Sequence, residues 1–207
     1  MMLKQSIFIL LISAALTFTV SCSDTPQLQR LDENTTVLAF GDSLTYGTGT
    51  SRDKAYPAVL ETLIDRKVIN AGVPGEISAN GLSRLPNLIK QHQPGLIIIC
   101  HGGNDILLKL DLNKTRNNIQ KMIDLAKQNK SQVLLIGVPK FGLFLDSSPI
   151  YQTLADNNQA PIANDILGDI LGKLSLKSDH VHPNTKGYQL LAEHIFLLLK
   201  QSGALPD

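Results

Sequence analysis

Apolar and polar positions alternate along this chain in a way that predicts strands and helices in turn. Four short runs rich in apolar residues are bounded by small or polar residues: 37–40, 67–70, 96–100 and 133–137. Continuous runs of this length are typical of strands buried on both faces. Four longer segments carry apolar residues at helical spacing: 56–65, 78–90, 114–129 and 185–201. The alternation predicts right-handed β-α-β crossovers and a largely parallel sheet.

Weaker patterns fill the region between the fourth strand and the last helix. Residues 151–155 and 166–174 have the composition of helices, and 161–163 are a candidate fifth strand. Residues 139–150 are predicted to form a loop that is more apolar than a solvated loop should be. Its large apolar side chains either line an acyl-binding pocket or pack into the core beneath the loop. They are Phe141, Leu143, Phe144 and Leu145.

The first 21 residues have the pattern of a secretory signal peptide. Lys4 precedes a nearly uninterrupted apolar run at 7–18, which is too short for an ordinary spanning helix. Small residues follow the run and suit cleavage just before Cys22, which would then become a lipid-modified terminal cysteine. A bacterial lipobox usually carries Leu where this chain has Thr19, so the match is imperfect.

These features predict a protein of the bacterial cell envelope. We expect it to be periplasmic and lipid-anchored at Cys22, with a soluble periplasmic product as the alternative. Residues 22–34 are polar and without periodicity, which predicts a tether. One domain is expected over 35–207.

Composition narrows the kind of partner. The chain has 207 residues, of which 43% are hydrophobic, and 19 basic side chains balance 18 acidic ones. This content suits a single hydrophobic core. A net charge of +1 without a long Lys/Arg run argues against a nucleic-acid surface, so we expect a small-molecule partner. We also expect a monomer that uses no cofactor. Cys100 ends an apolar run and is predicted to be a buried thiol.

Polar residues stand where three of the predicted strands end. Residues 41–43, 70–75 and 101–105 follow the first three strands, and a late polar loop covers 179–182. Because the carboxyl ends of parallel strands meet at one edge of a sheet, we expect these loops to converge there.

The converging loops contain the groups that acyl transfer requires. A serine hydroxyl needs a base within hydrogen-bond reach, the base needs an acidic partner, and a developing oxyanion needs fixed donors. Ser43 would be the nucleophile, His182 the base and Asp179 its orienting partner. Asn104 and the backbone N–H groups of Ser43 and Gly75 would be the donors. Taken alone, Asp42 and Ser43 are better explained as N-cap residues of the next helix, and only their partners elsewhere in the chain favour a catalytic role.

The same residues lie in stretches that resemble the four signature blocks of the SGNH (GDSL) hydrolase family, in the family's order. The blocks are 41–44, 70–75, 102–105 and 179–183. The resemblance extends over nearly the whole mature chain. It is nearest to small bacterial periplasmic esterases described as arylesterase, thioesterase or lysophospholipase. It implies a flavodoxin-like, three-layer α/β/α fold and a triad of Ser43, Asp179 and His182.

The resemblance also implies an oxyanion hole formed by Ser43, Gly75 and Asn104. The family's catalytic glycine lies five residues after the asparagine that Asn70 matches, which selects Gly75. His101 departs from the aliphatic residue that near relatives often carry before this Gly-Gly-Asn-Asp block, and we expect it to alter the pocket wall. Asp105 is expected to cap the segment that follows it.

The sequence therefore predicts a serine esterase that forms an acyl-enzyme on Ser43. Its expected substrates are aryl esters or short to medium acyl esters, with thioesters and lysophospholipids also possible substrates of this chemistry. A polysaccharide O-acetylesterase and a non-catalytic, lipid-anchored binding protein are the alternatives.

Other motif interpretations explain less of the sequence. The glycines at 41 and 47 have the spacing of a P-loop, but no lysine follows the second one. The glycines at 47 and 49 could begin a dinucleotide-binding fingerprint, but its third glycine is absent. A zinc site would leave Ser43 and Asn104 without a role. Its candidate ligands are His101, Asp179, His180 and His182.

Overall fold

A parallel sheet forms the centre of the molecule. The structure is a computed structural model, and it describes residues 25–140 and 145–206. Within those ranges the chain forms a five-stranded sheet of order β2-β1-β3-β4-β5, with every neighbouring pair parallel. The strands are β1 (Val37–Gly41), β2 (Val68–Gly72), β3 (Leu96–Cys100), β4 (Gln132–Ile136) and β5 (Ile162–Ala163).

The burial of each strand follows its place in the sheet. Every residue of the central strands β1 and β3 is buried, whereas only Val68 is buried in the edge strand β2. A strand covered on both faces can carry apolar side chains at every position. This is why the 96–100 run is uninterrupted by polar residues.

Helices connect the strands and cover both faces of the sheet. They are α1 (Ser43–Tyr46), α2 (Tyr56–Ile64), α3 (Ser78–His92), α4 (Gly103–Leu107), α5 (Leu112–Gln128), α6 (Pro149–Asn158), α7 (Ile166–Leu171) and α8 (Thr185–Gln201). Single 3₁₀ turns lie at Arg52–Lys54 and Leu174–Leu176. Helix α2 packs against α8, and α3 packs against α5. The three-layer α/β/α fold predicted from the sequence is confirmed.

Two short helices were not predicted, and both begin where a strand ends. Helix α1 has four residues and α4 has five. Neither is long enough to display a helical period, so the hydrophobic pattern carries no signal for them. The loops predicted at 41–43 and 101–105 are thus partly helical.

The segment before β1 packs against the domain instead of forming a free tether over its whole length. Leu31 is only 2% exposed, and Leu28 packs on the core. The N–H groups of Leu28 and Leu31 donate to the carbonyls of Ser202 and Ala204. Two leucines in an otherwise polar stretch are therefore enough to dock it, and the packed unit begins before residue 35.

Several predictions from the sequence fall outside the described residues. These are the signal peptide at 1–21, lipidation of Cys22, and the pocket side chains Phe141, Leu143 and Phe144. Within the two ranges that the structure does describe, none of the helices combines the length and the apolar character needed to cross a membrane.

Candidate active site

The turn after β1 assigns different partners to two adjacent polar side chains. Asp42 is the N-cap of α1, and its Oδ1 accepts the N–H of Leu44 at 3.1 Å. Ser43 is the first residue of that helix, and its hydroxyl lies 2.9 Å from Nε2 of His182. The capping role considered for this turn thus belongs to Asp42, and the Ser43 hydroxyl is directed elsewhere.

Three side chains form a hydrogen-bonded series at the carboxyl edge of the sheet. Nε2 of His182 contacts Ser43 Oγ, and its Nδ1 lies 2.8 Å from Oδ2 of Asp179. A carboxylate on Nδ1 holds the proton there, which leaves Nε2 as an acceptor for the serine hydroxyl. Ser43, His182 and Asp179 are therefore brought together in the geometry of an activated nucleophile.

The loop that carries Asp179 and His182 is built around the carboxylate. Oδ1 of Asp179 accepts the N–H groups of Val181 at 2.8 Å and of His182 at 2.9 Å. Although partial burial raises the pKa of Asp179, the hydrogen bonds from His182 and from the two amides outweigh that effect and lower it. Asp179 is thus ionised at neutral pH. His180 in the same loop is exposed.

Asn104 contacts the loop that contains Gly75. Asn104 Nδ2 donates to the carbonyl of Glu76 at 3.0 Å and lies 3.4 Å from Oδ2 of Asp42. Gly75, the residue before Glu76, has a φ of 77°. A Cβ built on it would have no heavy atom within 4 Å, so this part of the loop borders open space.

A small cleft joins the nucleophile to Asn104, and Gly75 is not among the residues that line it. Ser43, Asn104 and His182 line it together, and Leu107 and Val181 contribute apolar walls. The cleft lies beyond the ends of β1 and β3, where open α/β sheets bind ligands.

Asp42 also lines the cleft, and its carboxyl group is buried. Burial raises its pKa, and this effect is partly opposed by nearby His101 and by the N–H groups of Leu44 and Gly103. The carboxylate thus fixes the turns after two neighbouring strands, which brings Ser43 and Asn104 to the same cleft.

His101 does not line the pocket, contrary to the expectation from the sequence. Its side chain is fully buried, and Nε2 lies 3.0 Å from Oε2 of Glu76. It follows a central strand, and the side chain turns inward beneath α3 instead of outward to the cleft.

In the described part of the chain, no three His, Cys, Asp or Glu side chains are placed to hold a metal ion. Of the histidines considered as zinc ligands, His101 lies in the core and His180 lies at the surface.

Sequence reasoning missed two charged residues next to the site. Glu76 is buried and Arg84 pairs with it through two nitrogens. Their spacing of eight residues is not one that places two side chains together within a single helix. The one sequence feature that could have indicated this pair is the position of Glu76, an acidic residue directly after Gly75.

The chain is similar to known proteins in sequence and in overall fold. Residues 39–190 match the GDSL-like Lipase/Acylhydrolase family. The arylesterase of Vibrio mimicus is 31% identical over 173 residues, which cover 77% of this chain and 85% of that protein. Thioesterase 1/protease 1/lysophospholipase L1 of Escherichia coli (strain K12) is 31% identical over 166 residues, which cover 76% and 80%. The crystal structure of TesA has a TM-score of 0.73 at 28% identity, over 80% of this chain and 98% of that one.

Proposed function

The chain belongs to the GDSL-like lipase/acylhydrolase family, and from this we propose that it is a serine esterase whose nucleophile is Ser43. The observation that carries the proposal is the series of hydrogen bonds from Ser43 through His182 to Asp179. A binding protein without catalysis has no need of a base and an orienting carboxylate behind one serine.

The proposed reaction has two steps. Ser43 Oγ attacks the ester carbonyl carbon while His182 Nε2 accepts its proton, and His182 then returns the proton to the departing alcohol. The same imidazole then deprotonates a water molecule, whose oxygen attacks the carbonyl carbon of the acyl-enzyme, and the proton passes to Ser43 Oγ as the acyl–serine bond breaks and the acid leaves. Asp179 stabilises the imidazolium that forms in each step.

The oxyanion of each step is proposed to be held by Asn104 and by the N–H groups of Ser43 and Gly75. A carboxamide has two N–H bonds. One of those of Asn104 donates to the Glu76 carbonyl, and the contact with Asp42 is longer, at 3.4 Å. That weaker contact is the one that a developing oxyanion can replace.

Replacement of Ser43 tests the proposal. We expect Ser43→Ala to lower kcat on an aryl acetate by about 10⁴-fold or more, because the nucleophile is lost. Labelling by a fluorophosphonate should disappear with it. Ser83→Ala is the matched control, because Ser83 is exposed on α3 and its hydroxyl donates to the Asn80 carbonyl of the same helix. Wild-type turnover in Ser43→Ala would contradict the assignment.

We propose aryl esters and short to medium acyl esters as the substrates, with thioesters and lysophospholipids also hydrolysed. The names of the relatives, an arylesterase and a thioesterase/lysophospholipase, support this range. The apolar side chains Phe141, Leu143 and Phe144 are proposed to bind the acyl chain.

A series of p-nitrophenyl esters from acetate to dodecanoate, with a matching acyl-CoA series, tests the substrate range. The expected rate maximum is at a medium chain length. A steady fall in kcat/KM from acetate upward would contradict the acyl pocket. A marked preference for an acetylated polysaccharide would favour the O-acetylesterase alternative.

We propose a periplasmic location with a lipid on Cys22, on the basis of the sequence pattern around that residue. A labelled fatty acid supplied to expressing cells should be incorporated into the wild-type chain but not into Cys22→Ala. Equal recovery of both proteins in the soluble periplasmic fraction would favour the soluble alternative.

A further inference from the structure

A buried charged cluster lies directly beneath the loop that carries Gly75. The Glu76 side chain is its centre, and this residue is only 8% exposed. Arg84 Nε donates to Oε1 at 2.7 Å, and Arg84 Nη2 donates to Oε2 at 2.6 Å. His101 Nε2 lies 3.0 Å from the same Oε2. Three donors thus converge on one carboxylate.

The hydrogen bonds of His101 determine which of its nitrogens carries the proton. The N–H of Gly102 donates to Nδ1 at 3.0 Å, so Nδ1 is an acceptor and Nε2 is the nitrogen that donates to Glu76. The ring packs against Phe40, with centroids 5.6 Å apart. A Cβ on Gly81 of α3 would lie 2.2 Å from Nε2, so the absence of that atom leaves room for the imidazole.

Arg84 connects Glu76 to the ends of two strands. Its Nη2 also donates to the carbonyls of Gly41 at 3.1 Å and Ala71 at 2.9 Å. The guanidinium lies over the Phe40 ring, 4.4 Å from its centroid. Glu76 is thereby held in fixed register with the end of β1, from which the Ser43 turn begins.

The backbone of Glu76 contacts the candidate site directly. Its carbonyl accepts Asn104 Nδ2 at 3.0 Å. This hydrogen bond fixes one of the two N–H bonds of the amide and therefore the direction of the other. The side chain and the carbonyl of one residue thus link the buried cluster to a candidate oxyanion donor.

We propose that Glu76 is a positioning residue for the oxyanion hole, whose side chain is locked by Arg84 and His101 so that its carbonyl can orient Asn104. The inference rests on the proposed function. It assigns a purpose to His101, the residue that departs from the family pattern. Glu76 does not touch the substrate, and it acts through Asn104.

The charge of Glu76 is what holds the cluster together. Although burial raises the pKa of Glu76, the hydrogen bonds from His101 and Arg84 outweigh this effect and lower it to about 2. Removal of a carboxylate that pairs with a partly buried guanidinium leaves the cation without its partner. The loop would then shift to let Arg84 reach water, and the Glu76 carbonyl would shift with it.

A double-mutant cycle between Glu76 and Asn104 tests the inference. We expect Glu76→Gln to lower kcat on an aryl acetate about 10-fold with KM within about two-fold, because the loss falls on transition-state stabilisation. Asn104→Ala should lower kcat about 10²–10³-fold. The double variant should lose no more than about three-fold beyond Asn104→Ala, because the residue that Glu76 orients is already gone.

Three further variants make the outcome decisive. Glu76→Asp keeps the charge and should recover most of the lost kcat, whereas Glu33→Gln, an exposed residue before β1, should leave it unchanged. If Glu76→Gln does not fold, as judged by thermal unfolding, His101→Gln replaces it in the same cycle. Losses that multiply fully in the double variant, or unchanged kcat in Glu76→Gln, would overturn the inference. Wild-type activity of Ser43→Ala would instead overturn the proposed function.

Discussion

Gly72 and Gly75 show how two glycines three residues apart can be required for different reasons. A Cβ on Gly72 would lie 2.1 Å from the backbone N of Tyr46, so α1 can pack against β2 only if that atom is missing. Gly75 has free space around it but a φ of 77°, which other residues adopt at a cost of about 1–2 kcal/mol. The first glycine serves packing and the second serves the shape of the loop.

This difference predicts that replacing Gly75 by alanine affects mainly activity, whereas replacing Gly72 affects mainly stability. Gly75→Ala should lower the free energy of unfolding by only about 1–2 kcal/mol but reduce kcat about 10-fold or more, because relief of the strain moves a proposed oxyanion donor. Gly72→Ala should be the more destabilising, because a backbone must move to admit the methyl group. Urea unfolding and kcat on an aryl acetate measure the two effects. Full activity in Gly75→Ala would contradict its proposed role.

The residues of the candidate triad and oxyanion hole could be proposed from the sequence because they follow predicted strands or lie in short polar motifs, and because those motifs resemble the signature blocks of one family. Their chemical types in that order carry most of the information. The Glu76 cluster could not be found in this way. Its contacts join residues that are 8 and 25 positions apart, and they depend on how α3 packs on the sheet.

At the scale of elements, Asp105 joins three helices instead of capping the segment that follows it. It lies within α4 and accepts the N–H and the hydroxyl of Ser78, at 2.8 and 2.5 Å, and the hydroxyl of Thr115 at 3.1 Å. The N-cap of α3, Ile77, has no side chain able to accept a hydrogen bond. Asp105 therefore supplies the missing cap from another helix, which local sequence cannot indicate.

Asp105 should consequently matter more for stability than an ordinary cap. Asp105→Ala should lower the free energy of unfolding by about 2–4 kcal/mol, since it leaves the buried N–H and hydroxyl of Ser78 without their acceptor. Asp111→Ala, which removes the exposed N-cap of α5, should lower it by about 1 kcal/mol. Urea unfolding of both variants gives the comparison, and equal losses would contradict the link between helices.

Helix α8 illustrates an element that the sequence does predict. Its observed limits, Thr185–Gln201, agree with the predicted range. Asn184 caps it by accepting the N–H groups of Lys186 and Gly187, and its buried leucines recur at helical spacing. A side-chain cap and a long period are both local signals. The order of the strands is not local, because a hydrophobic pattern does not say which strands are neighbours.

The stability of the whole molecule should depend on pH through Glu76. Its pKa is about 2 in the fold against an ordinary value of 4.5, so the unfolded chain binds a proton more readily. The stability that its ionised form contributes is complete above about pH 4.5 and is lost as the pH falls towards 2.

Urea unfolding of the wild type and of Glu76→Gln between pH 6 and pH 2.5 measures this contribution. The wild type should be the more stable protein at pH 6, and the difference in free energy of unfolding should shrink as the pH falls below about 4.5. A difference that stays constant over this range would show that the carboxylate is not held in its ionised form by the fold.

The docked N-terminal segment sets the direction in which the molecule would face a membrane. Gln29 exchanges hydrogen bonds with Gln132, the first residue of β4, so the segment reaches the body at the amino edge of the sheet. The candidate cleft lies at the opposite edge. If Cys22 carries the lipid proposed above, the three residue steps from Cys22 to Thr25 span at most about 10 Å. A chain anchored in this way would present the candidate cleft to the aqueous compartment, and Cys22→Ala should leave kcat/KM for a dissolved ester unchanged.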